Sequence, residues 1–348
     1  MWKGAIDIAF AYPLFGTGPE TFAYSYYKFR PTEHNLTSEW DFLYNRAHNE
    51  FLNIAATSGF FGLGTYLLLI FSFLLWSVKK LLTTHNTSTS LSASSQFTTL
   101  ILAFVSSYIS ILITNFFGFS VVIVGLYFFL IPAFIYSLLS TKEQSMTSTD
   151  ISEKQYIFSG IIIIVMLLFL VSIVRFWIAD TLYARGLSFS KQEEYDKAYP
   201  YLKEAINLRS DEPNYRDELS LVGSQMALSS IENREATEAS TYLREAVDAS
   251  NFTLRTSPQN VNFWKTRTKM YFALSILDES FLQSALDSIL IARELAPTDP
   301  KIAYNSAVIY GHANKNKDAI EVLLETIDLK PDYRDAYIAL SIFYLKIS

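Results

Sequence analysis

Residues 184–208 read ARGLSFSKQEEYDKAYPYLKEAINL, and this stretch determines the fold of the second half of the chain. Small and medium side chains recur in it where two neighbouring helices would approach each other closely. They are Gly186, Ala198, Leu202 and Ala205. This spacing predicts a helix–turn–helix unit, and a single unit cannot bury its apolar face alone. Further copies are therefore expected along the chain.

A second copy lies near the end of the sequence, where residues 302–331 read IAYNSAVIYGHANKNKDAIEVLLETIDLKP. Its matching positions are Ala307, Tyr310, Ala319, Leu323, Leu329 and Pro331. Tyr344 follows Tyr310 by one period of about 34 residues. A third copy uses Trp264, Tyr271, Ala285, Ile289, Ala292 and Pro297.

The period and the small and aromatic positions resemble tetratricopeptide repeats. The resemblance covers most of residues 180–348, although residues 213–258 fit loosely because the first helix and the exit from the second are lengthened. Such repeats stack into a solenoid with a concave face, which implies a protein partner. The alternative interpretation is a generic amphipathic helical bundle.

The first half of the chain has a different composition. Over the whole chain, half of the residues are hydrophobic and only 18% are charged, compared with about 25% charged residues in a typical soluble domain. The deficit of charge lies in the first half. No Asp, Glu, Lys or Arg occurs in residues 51–78 or 97–139. A membrane-spanning helix needs about 20 mostly apolar residues. We therefore predict an all-α chain with about four transmembrane helices, followed by a soluble α-solenoid at 180–348. The predicted spans are 60–78, 97–114, 121–139 and 156–178.

The segments between these spans predict loops and an orientation. Residues 81–96 and 140–155 are rich in Ser and Thr and are expected to be loops. Four crossings place His48 and Asp180 on the same side of the membrane. The predicted inner loops carry Lys79, Lys80, Lys142 and Lys154, which favours an extracytoplasmic His48 and an extracytoplasmic repeat domain in a multi-pass protein of the cell membrane. Lys28, Arg30 and Arg46 oppose this assignment.

Charge and cysteine content exclude several classes of function. The net charge is −6 without a basic block, so nucleic acid is not an expected partner. The chain has no cysteine, which excludes disulfides, iron–sulfur clusters and thiolate zinc sites. Aspartates are few near the motif described next, and no Asp-x-Asp pair occurs there. No metal and no other cofactor is expected.

Residues 46–62, RAHNEFLNIAATSGFFG, stand at the edge of the first predicted span, and AYPLFGTGPETFAYSYY lies upstream at 11–27. Together they resemble the O-antigen ligase and polymerase family. The residues that carry the resemblance are Trp2, Ala5, Pro13, Leu14, Gly16, Gly18, Phe22, His48, Asn49, Leu52, Gly59 and Gly62. They cover roughly residues 1–80. One departure is Thr57, where the family often has an acidic residue.

The resemblance implies an activity for residues 1–59, an extracytoplasmic loop in this prediction. Members of this family move a glycan from a polyprenyl diphosphate carrier to an acceptor on the outer side of the cytoplasmic membrane. The acceptor is a lipid, a protein or a growing glycan. Members have about a dozen spans, so this sequence is expected to be the C-terminal part of a larger protein or a truncated product.

The chemistry of that reaction points to particular residues. Arginine binds phosphate oxygens in pairs, so Arg46 and Arg30 are the predicted cations for the diphosphate, with Lys28 behind them. Imidazoles titrate near neutral pH, so His48 is the predicted base or the group that orients the acceptor. Gly16 and Gly18 either form a tight turn or contact the diphosphate through backbone N–H groups. Asn49 either binds substrate or caps the following helix.

Three functions are compatible with these patterns. The first is a membrane glycan transferase of the ligase type. The second is a polysaccharide polymerase of the same family, which extends a glycan instead of transferring it to a final acceptor. The third is a membrane-anchored tetratricopeptide scaffold without catalysis.

Overall fold

The computed structural model describes residues 1–87, 91–139 and 153–347, and every regular element in those ranges is a helix. This confirms the all-α fold class. The chain divides into two compact units, Met1–Ser148 and Thr149–Ser348, and each is described by itself.

The first unit contains five α-helices and a short 3-10 helix, η1, within its described residues. In chain order these elements are α1 (Trp2–Ala11), α2 (Phe22–Phe29), η1 (Thr32–Leu36), α3 (Glu50–Thr87), α4 (Leu91–Phe117) and α5 (Val122–Leu139). Helix α1 packs against α2 and α3 through a small core. That core is formed by Ala5, Ile8, Phe22, Tyr26, Ala47 and Ala56.

Helix α3 is interrupted at Gly59, which has φ 68° and ψ −175°. This region of backbone conformation is essentially restricted to glycine. Residues 13–18, which we call the strap, hydrogen-bond to α3 around this break. The N–H of Phe60 donates to the Pro13 carbonyl at 2.7 Å, and the N–H of Gly18 donates to the Thr57 carbonyl at 2.8 Å. Helix α3 therefore changes course where the strap crosses it.

Three helical segments in the described residues are long and apolar enough to cross a membrane: Glu50–Leu82, Thr98–Phe117 and Tyr156–Lys191. They correspond to the predicted spans 60–78, 97–114 and 156–178. The fourth predicted span, 121–139, corresponds to α5, whose apolar stretch Val122–Ser137 is shorter than the other three. Three of the four expected spans therefore meet this criterion of length and composition, and membrane crossing itself stays a prediction.

The expected loop at 81–96 is wrong over most of its length. Helix α3 continues to Thr87 and α4 begins at Leu91. Ser and Thr lower helix propensity only slightly, so neighbouring helical turns extend through them. The expected loop at 140–155 lies outside the described residues as far as 152, and residues 153–155 are helical.

The second unit is a series of helix pairs. In chain order its helices are α6 (Glu153–Lys191), α7 (Tyr195–Leu208), α8 (Pro213–Glu232), α9 (Ala236–Thr256), α10 (Val261–Leu274), α11 (Ser280–Leu295), α12 (Pro300–His312), α13 (Asn316–Leu329) and α14 (Arg334–Ile347). Each first helix packs against the second helix of its pair: α6 with α7, α8 with α9, α10 with α11, and α12 with α13. The predicted boundary at 178–180 falls inside α6, which is continuous.

The predicted packing positions lie in the core of these pairs. Ala198, Leu202 and Ala205 are fully buried, and a Cβ on Gly186 would lie 2.9 Å from the Leu202 side chain. In the last pair Ala307, Ala319 and Leu323 are fully buried as well. The lengthened copy at 213–258 consists of α8 and α9, with 20 and 21 residues.

In three of the four pairs, the same kind of turn joins the first helix to the second. Glu193, Arg234 and Asn314 each have positive φ, and each is the second residue after the first helix of a pair. In each turn the next N–H closes a helix-ending hydrogen bond, from Glu194 to the Phe189 carbonyl, from Glu235 to Ser230 and from Lys315 to Tyr310. This is the Schellman arrangement that commonly ends helices. The recurrence supports one repeating unit over a generic bundle.

The break at Gly59 can be tested by adding a methyl group. A Cβ on Gly59 would lie 2.3 Å from the Leu14 carbonyl oxygen, so Gly59→Ala is expected to lower the free energy of unfolding by about 1–3 kcal/mol. Gly64→Ala, on the same helix with open space around its Cβ position, is the matched control and should be neutral or slightly stabilising. Thermal unfolding in detergent measures both. Equal midpoints for the two variants would contradict the role of Gly59.

Candidate functional site

The segment between α2 and α3 is ordered by a run of aromatic rings. Tyr26 of α2 contacts His34 of η1, His34 contacts Tyr44, and Tyr44 contacts His48. The ring centroids of Tyr44 and His48 are 5.7 Å apart, in an edge-to-face arrangement. Such aromatic pairs pack with defined geometry. This run therefore connects His48 to the core of the first unit.

His48 is exposed and has φ 51°, an uncommon conformation for a residue other than glycine. Its ring also packs on Phe119, with centroids 5.2 Å apart. Phe119 lies in the turn between α4 and α5, which is distant in sequence. Of the five non-glycine residues with positive φ in the described residues, three end the first helices of repeat pairs, and the other two are His48 and Glu20. Uncommon backbone of this kind clusters at functional sites.

Arg46 shares the Phe119 ring with His48. Its guanidinium carbon lies 5.4 Å from the ring centroid. Its Nη2 donates to both carboxylate oxygens of Glu20, at 2.8 and 3.0 Å. The structure therefore brings together two of the predicted catalytic residues, and it adds Glu20 and Phe119 to them.

Glu50 connects the same turn to the start of α3. Its Oε2 accepts a hydrogen bond from the N–H of Ser120 at 3.2 Å. The hydroxyl of Ser120 donates to Asn115 at 3.1 Å, and the amide of Asn115 donates to the Tyr66 hydroxyl at 3.4 Å. This polar network extends from the site toward the apolar helices.

Sequence reasoning missed Glu20, Glu50 and Phe119. The two glutamates had a signal, since Glu20 follows the strap motif and Glu50 follows His48 and Asn49 directly. Carboxylates this close to predicted cations are candidate ion-pair partners. Phe119 had no comparable signal because its turn is uncharged and lies far along the chain.

The structure places the other predicted site residues in supporting positions. Asn49 is buried, and its side-chain oxygen accepts from the N–H of Leu52 at 2.9 Å, which is the helix-capping alternative. The N–H of Gly16 donates to the Tyr12 carbonyl and that of Gly18 to Thr57, so both are used within the fold. Substrate binding by these three residues stays a prediction, and in this conformation the glycine N–H groups do not serve it.

Arg30 does not share the partly exposed position of Arg46. Its side chain is buried, and Nη2 donates to the Trp40 carbonyl at 2.9 Å and to the Asn35 side chain. A phosphate-binding role beside Arg46 requires an accessible guanidinium, so the structure favours a stabilising role for Arg30. Lys28 lies exposed in the last turn of α2.

His34 is the other histidine of this segment, and its environment differs from that of His48. It is buried, with Nδ1 3.3 Å from the Tyr26 hydroxyl and Nε2 2.9 Å from the Glu39 carbonyl. Burial lowers the pKa of His34, while the hydrogen bond to Glu39 opposes this effect. A buried, hydrogen-bonded ring of this kind is a core residue, which favours His48 as the histidine of the candidate site.

A second polar cluster lies among the first helices of successive repeats. The Tyr215 hydroxyl of α8 donates to Asp180 of α6, and Thr266 of α10 donates to Asp217 of α8 at 2.9 Å. Burial raises the pKa of Asp217 to about 7, although the hydrogen bond from Thr266 lowers it. These contacts connect three consecutive repeat pairs. Among the side chains that the structure describes, no cluster of His, Asp and Glu could hold a metal ion.

Comparisons with known proteins bear on the second unit. Residues 179–212 match the family model of the tetratricopeptide repeat. These residues are α6 from Ala179, α7 and the following turn, so the repeat interpretation is confirmed there. No match was found among the curated proteins.

Three solved structures show low similarity. Pseudomonas aeruginosa pilF has 16% identity and a TM-score of 0.37, over 49% of this chain and 70% of that one. A thermophilic TPR protein of Thermus thermophilus has 15% identity and a TM-score of 0.36, over 49% of this chain and 83% of that one. YrrB, described as a TPR protein with an unusual peptide-binding site, has 18% identity and a TM-score of 0.21, over 45% and 89%.

The environment of Asp217 predicts a pH dependence of stability. Its folded pKa of about 7 exceeds the ordinary value of 3.8, so the folded state binds a proton that the unfolded state releases. This contribution is complete below about pH 4 and is lost as the pH rises through 7. Asp217→Asn keeps an acceptor for Thr266 and should raise the free energy of unfolding above pH 7 by about 1–3 kcal/mol.

The measurement is thermal unfolding of the complete chain at pH 5 and pH 8. Asp248→Asn, at an exposed position of α9, is the control and should follow the unsubstituted chain at both values. The environment assigned to Asp217 would be wrong if Asp217→Asn and the control showed the same change between pH 5 and pH 8.

Proposed function

We propose that this chain is part of a membrane glycan transferase of the ligase type. It would move a glycan from a polyprenyl diphosphate carrier to an acceptor on the outer side of the cytoplasmic membrane. One observation carries the proposal: Arg46 and His48 pack on the same Phe119 ring, beside helices apolar enough for a membrane. A fixed cation and an exposed imidazole are the two groups that this reaction requires.

The reaction assigns each of these groups a task. The anomeric carbon of the donor carries the diphosphate as its leaving group. Arg46 would bind oxygens of that diphosphate and stabilise the charge that develops on departure. His48 would accept the proton of the attacking acceptor hydroxyl. Both side chains pack on the Phe119 ring, which orients them before the substrate binds. They therefore lose less side-chain entropy on substrate binding.

The membrane part of the proposal is supported by exposed apolar surface. No residue in the most apolar part of Tyr156–Lys191 is buried within the structure. Helix α6 therefore presents large apolar side chains around its circumference from Tyr156 to Ile178. A helix that is apolar on all sides requires either a protein core or a membrane around it. A lipid environment satisfies this requirement without a further partner chain.

The repeat unit supports a second task for the chain. Tetratricopeptide-repeat proteins commonly bind protein partners, and the matched repeat at 179–212 favours such binding here. In the transferase this surface would engage the acceptor or an accessory protein. The same observation favours the scaffold function as the second candidate, in which the repeats hold an assembly at the membrane and no transfer occurs.

His48 distinguishes the two candidates. In cells that make the complete protein, His48→Ala should reduce glycan transfer by about 10²- to 10⁴-fold, because general acid–base assistance contributes that much. His312→Ala, in the repeat unit, is the matched control and should leave transfer unchanged. The readout is glycan on the acceptor at equal protein level. Normal transfer by His48→Ala would remove His48 from the mechanism.

Membrane orientation is a separate test. We expect reporters inserted between Ser38 and Glu39, and fused after Ser348, to act as extracytoplasmic, since four crossings separate the two positions. If α5 does not cross, the two reporters will report opposite sides of the membrane. A cytoplasmic signal from the first position would contradict the proposed orientation of the His48 site.

A further inference from the structure

We infer that the Glu20 carboxylate competes with the anionic substrate for Arg46. Only an anion that carries more negative charge than one carboxylate displaces Glu20 from the guanidinium. This inference rests on the proposed function, in which Arg46 binds a diphosphate. It assigns to Glu20 the role of a specificity-determining residue at that site.

The ion pair uses the face of Arg46 that a phosphate would need. Nη2 of Arg46 lies 2.8 Å from one carboxylate oxygen of Glu20 and 3.0 Å from the other. Phosphate oxygens bind guanidinium groups through the same N–H bonds. The carboxylate engages Nη2 through both of its oxygens, so a phosphate that binds Nη2 must displace Glu20.

The two partners differ in how firmly they are held. The side chain of Arg46 is only 26% exposed, and it packs over Phe119. The side chain of Glu20 is 75% exposed. Displacement of the pair would therefore move the carboxylate into solvent and leave the guanidinium in place. The site keeps its cation in position for the incoming anion.

The backbone of Glu20 is fixed even though its side chain is exposed. Glu20 has φ 58° and follows the strap, where the Thr21 hydroxyl donates to the Gly18 carbonyl at 2.6 Å. Gly18 is in turn hydrogen-bonded to Thr57 of α3. The strap thus holds the Glu20 main chain within reach of Arg46. A freely moving loop would not keep a carboxylate at this position.

Charge determines which ligand can displace Glu20. An exposed carboxylate–guanidinium pair is weak, so a diphosphate, with several negative charges and more acceptor oxygens, exchanges with it readily. A singly charged carboxylate gains little over Glu20 and is disfavoured. The pair therefore discriminates between anions by charge, while it reduces the affinity for the preferred one only modestly.

Direct binding of inorganic pyrophosphate to the complete protein in detergent tests this inference. We expect Glu20→Gln to lower the Kd for pyrophosphate by up to about fivefold, the range that exposed ion pairs contribute. Glu33→Gln is the matched control, because Glu33 pairs with Lys3 in a similarly exposed position, and it should leave the Kd unchanged. Isothermal titration calorimetry at low ionic strength gives the values.

The double variant links the effect to Arg46. In an Arg46→Ala background, Glu20→Gln should give no gain in affinity for pyrophosphate. The inference is overturned if Glu20→Gln binds pyrophosphate no more tightly than the unsubstituted protein, if the gain persists without Arg46, or if no variant binds pyrophosphate. Failure of the proposed function gives a different result, since transfer would then be unaffected by Arg46→Ala whatever the binding data show.

Discussion

The backbone hydrogen bonds between the strap and α3 are the constraint on which the first unit depends. They join Pro13 to Phe60 and Gly18 to Thr57 across the break at Gly59. Because both partners are main-chain groups in fixed positions, the strap and the start of α3 behave as one piece. That piece carries Glu20 at one end and Asn49 at the other. Glu20, just beyond the strap, pairs with Arg46, just before α3.

The turn at 118–121 completes this arrangement from the other side. Its Phe119 ring receives both Arg46 and His48, and the N–H of Ser120 is bound by Glu50. An aromatic ring is suited to this position because it attracts the guanidinium through its face and packs with the imidazole edge-to-face. One apolar side chain therefore contacts two polar ones without using their hydrogen-bonding groups, and Nη2 of Arg46 bonds to Glu20 at the same time.

Much of the fold could be predicted from the sequence, because close helix approaches require small residues and leave a period. Gly186 and Ala198 are examples, and the absence of charge identified the apolar helices. Whether a charged side chain is buried or exposed left no such pattern in the sequence. Arg30 and Arg46 are both arginines of the segment before α3, yet Arg30 is buried and donates to the Trp40 carbonyl, whereas Arg46 is partly exposed and pairs with Glu20. Only the three-dimensional path of the chain distinguishes them, and the same path brings distant Phe119 to the site.

The continuity of α6 bears on how the repeats would operate in a membrane protein. The first repeat contacts residues of the last predicted span, 156–178. Arg209 lies over the Phe176 ring, with its guanidinium carbon 4.7 Å from the ring centroid. Arg175 likewise donates to the Leu208 carbonyl at the end of α7. Both contacts lie near the end of the apolar part of α6, whose exposed large apolar side chains continue to Ile178. If residues 156–178 span the bilayer, the first repeat therefore begins at its surface without a flexible linker. A partner bound there would be held at a fixed height, and this raises its effective concentration at the membrane.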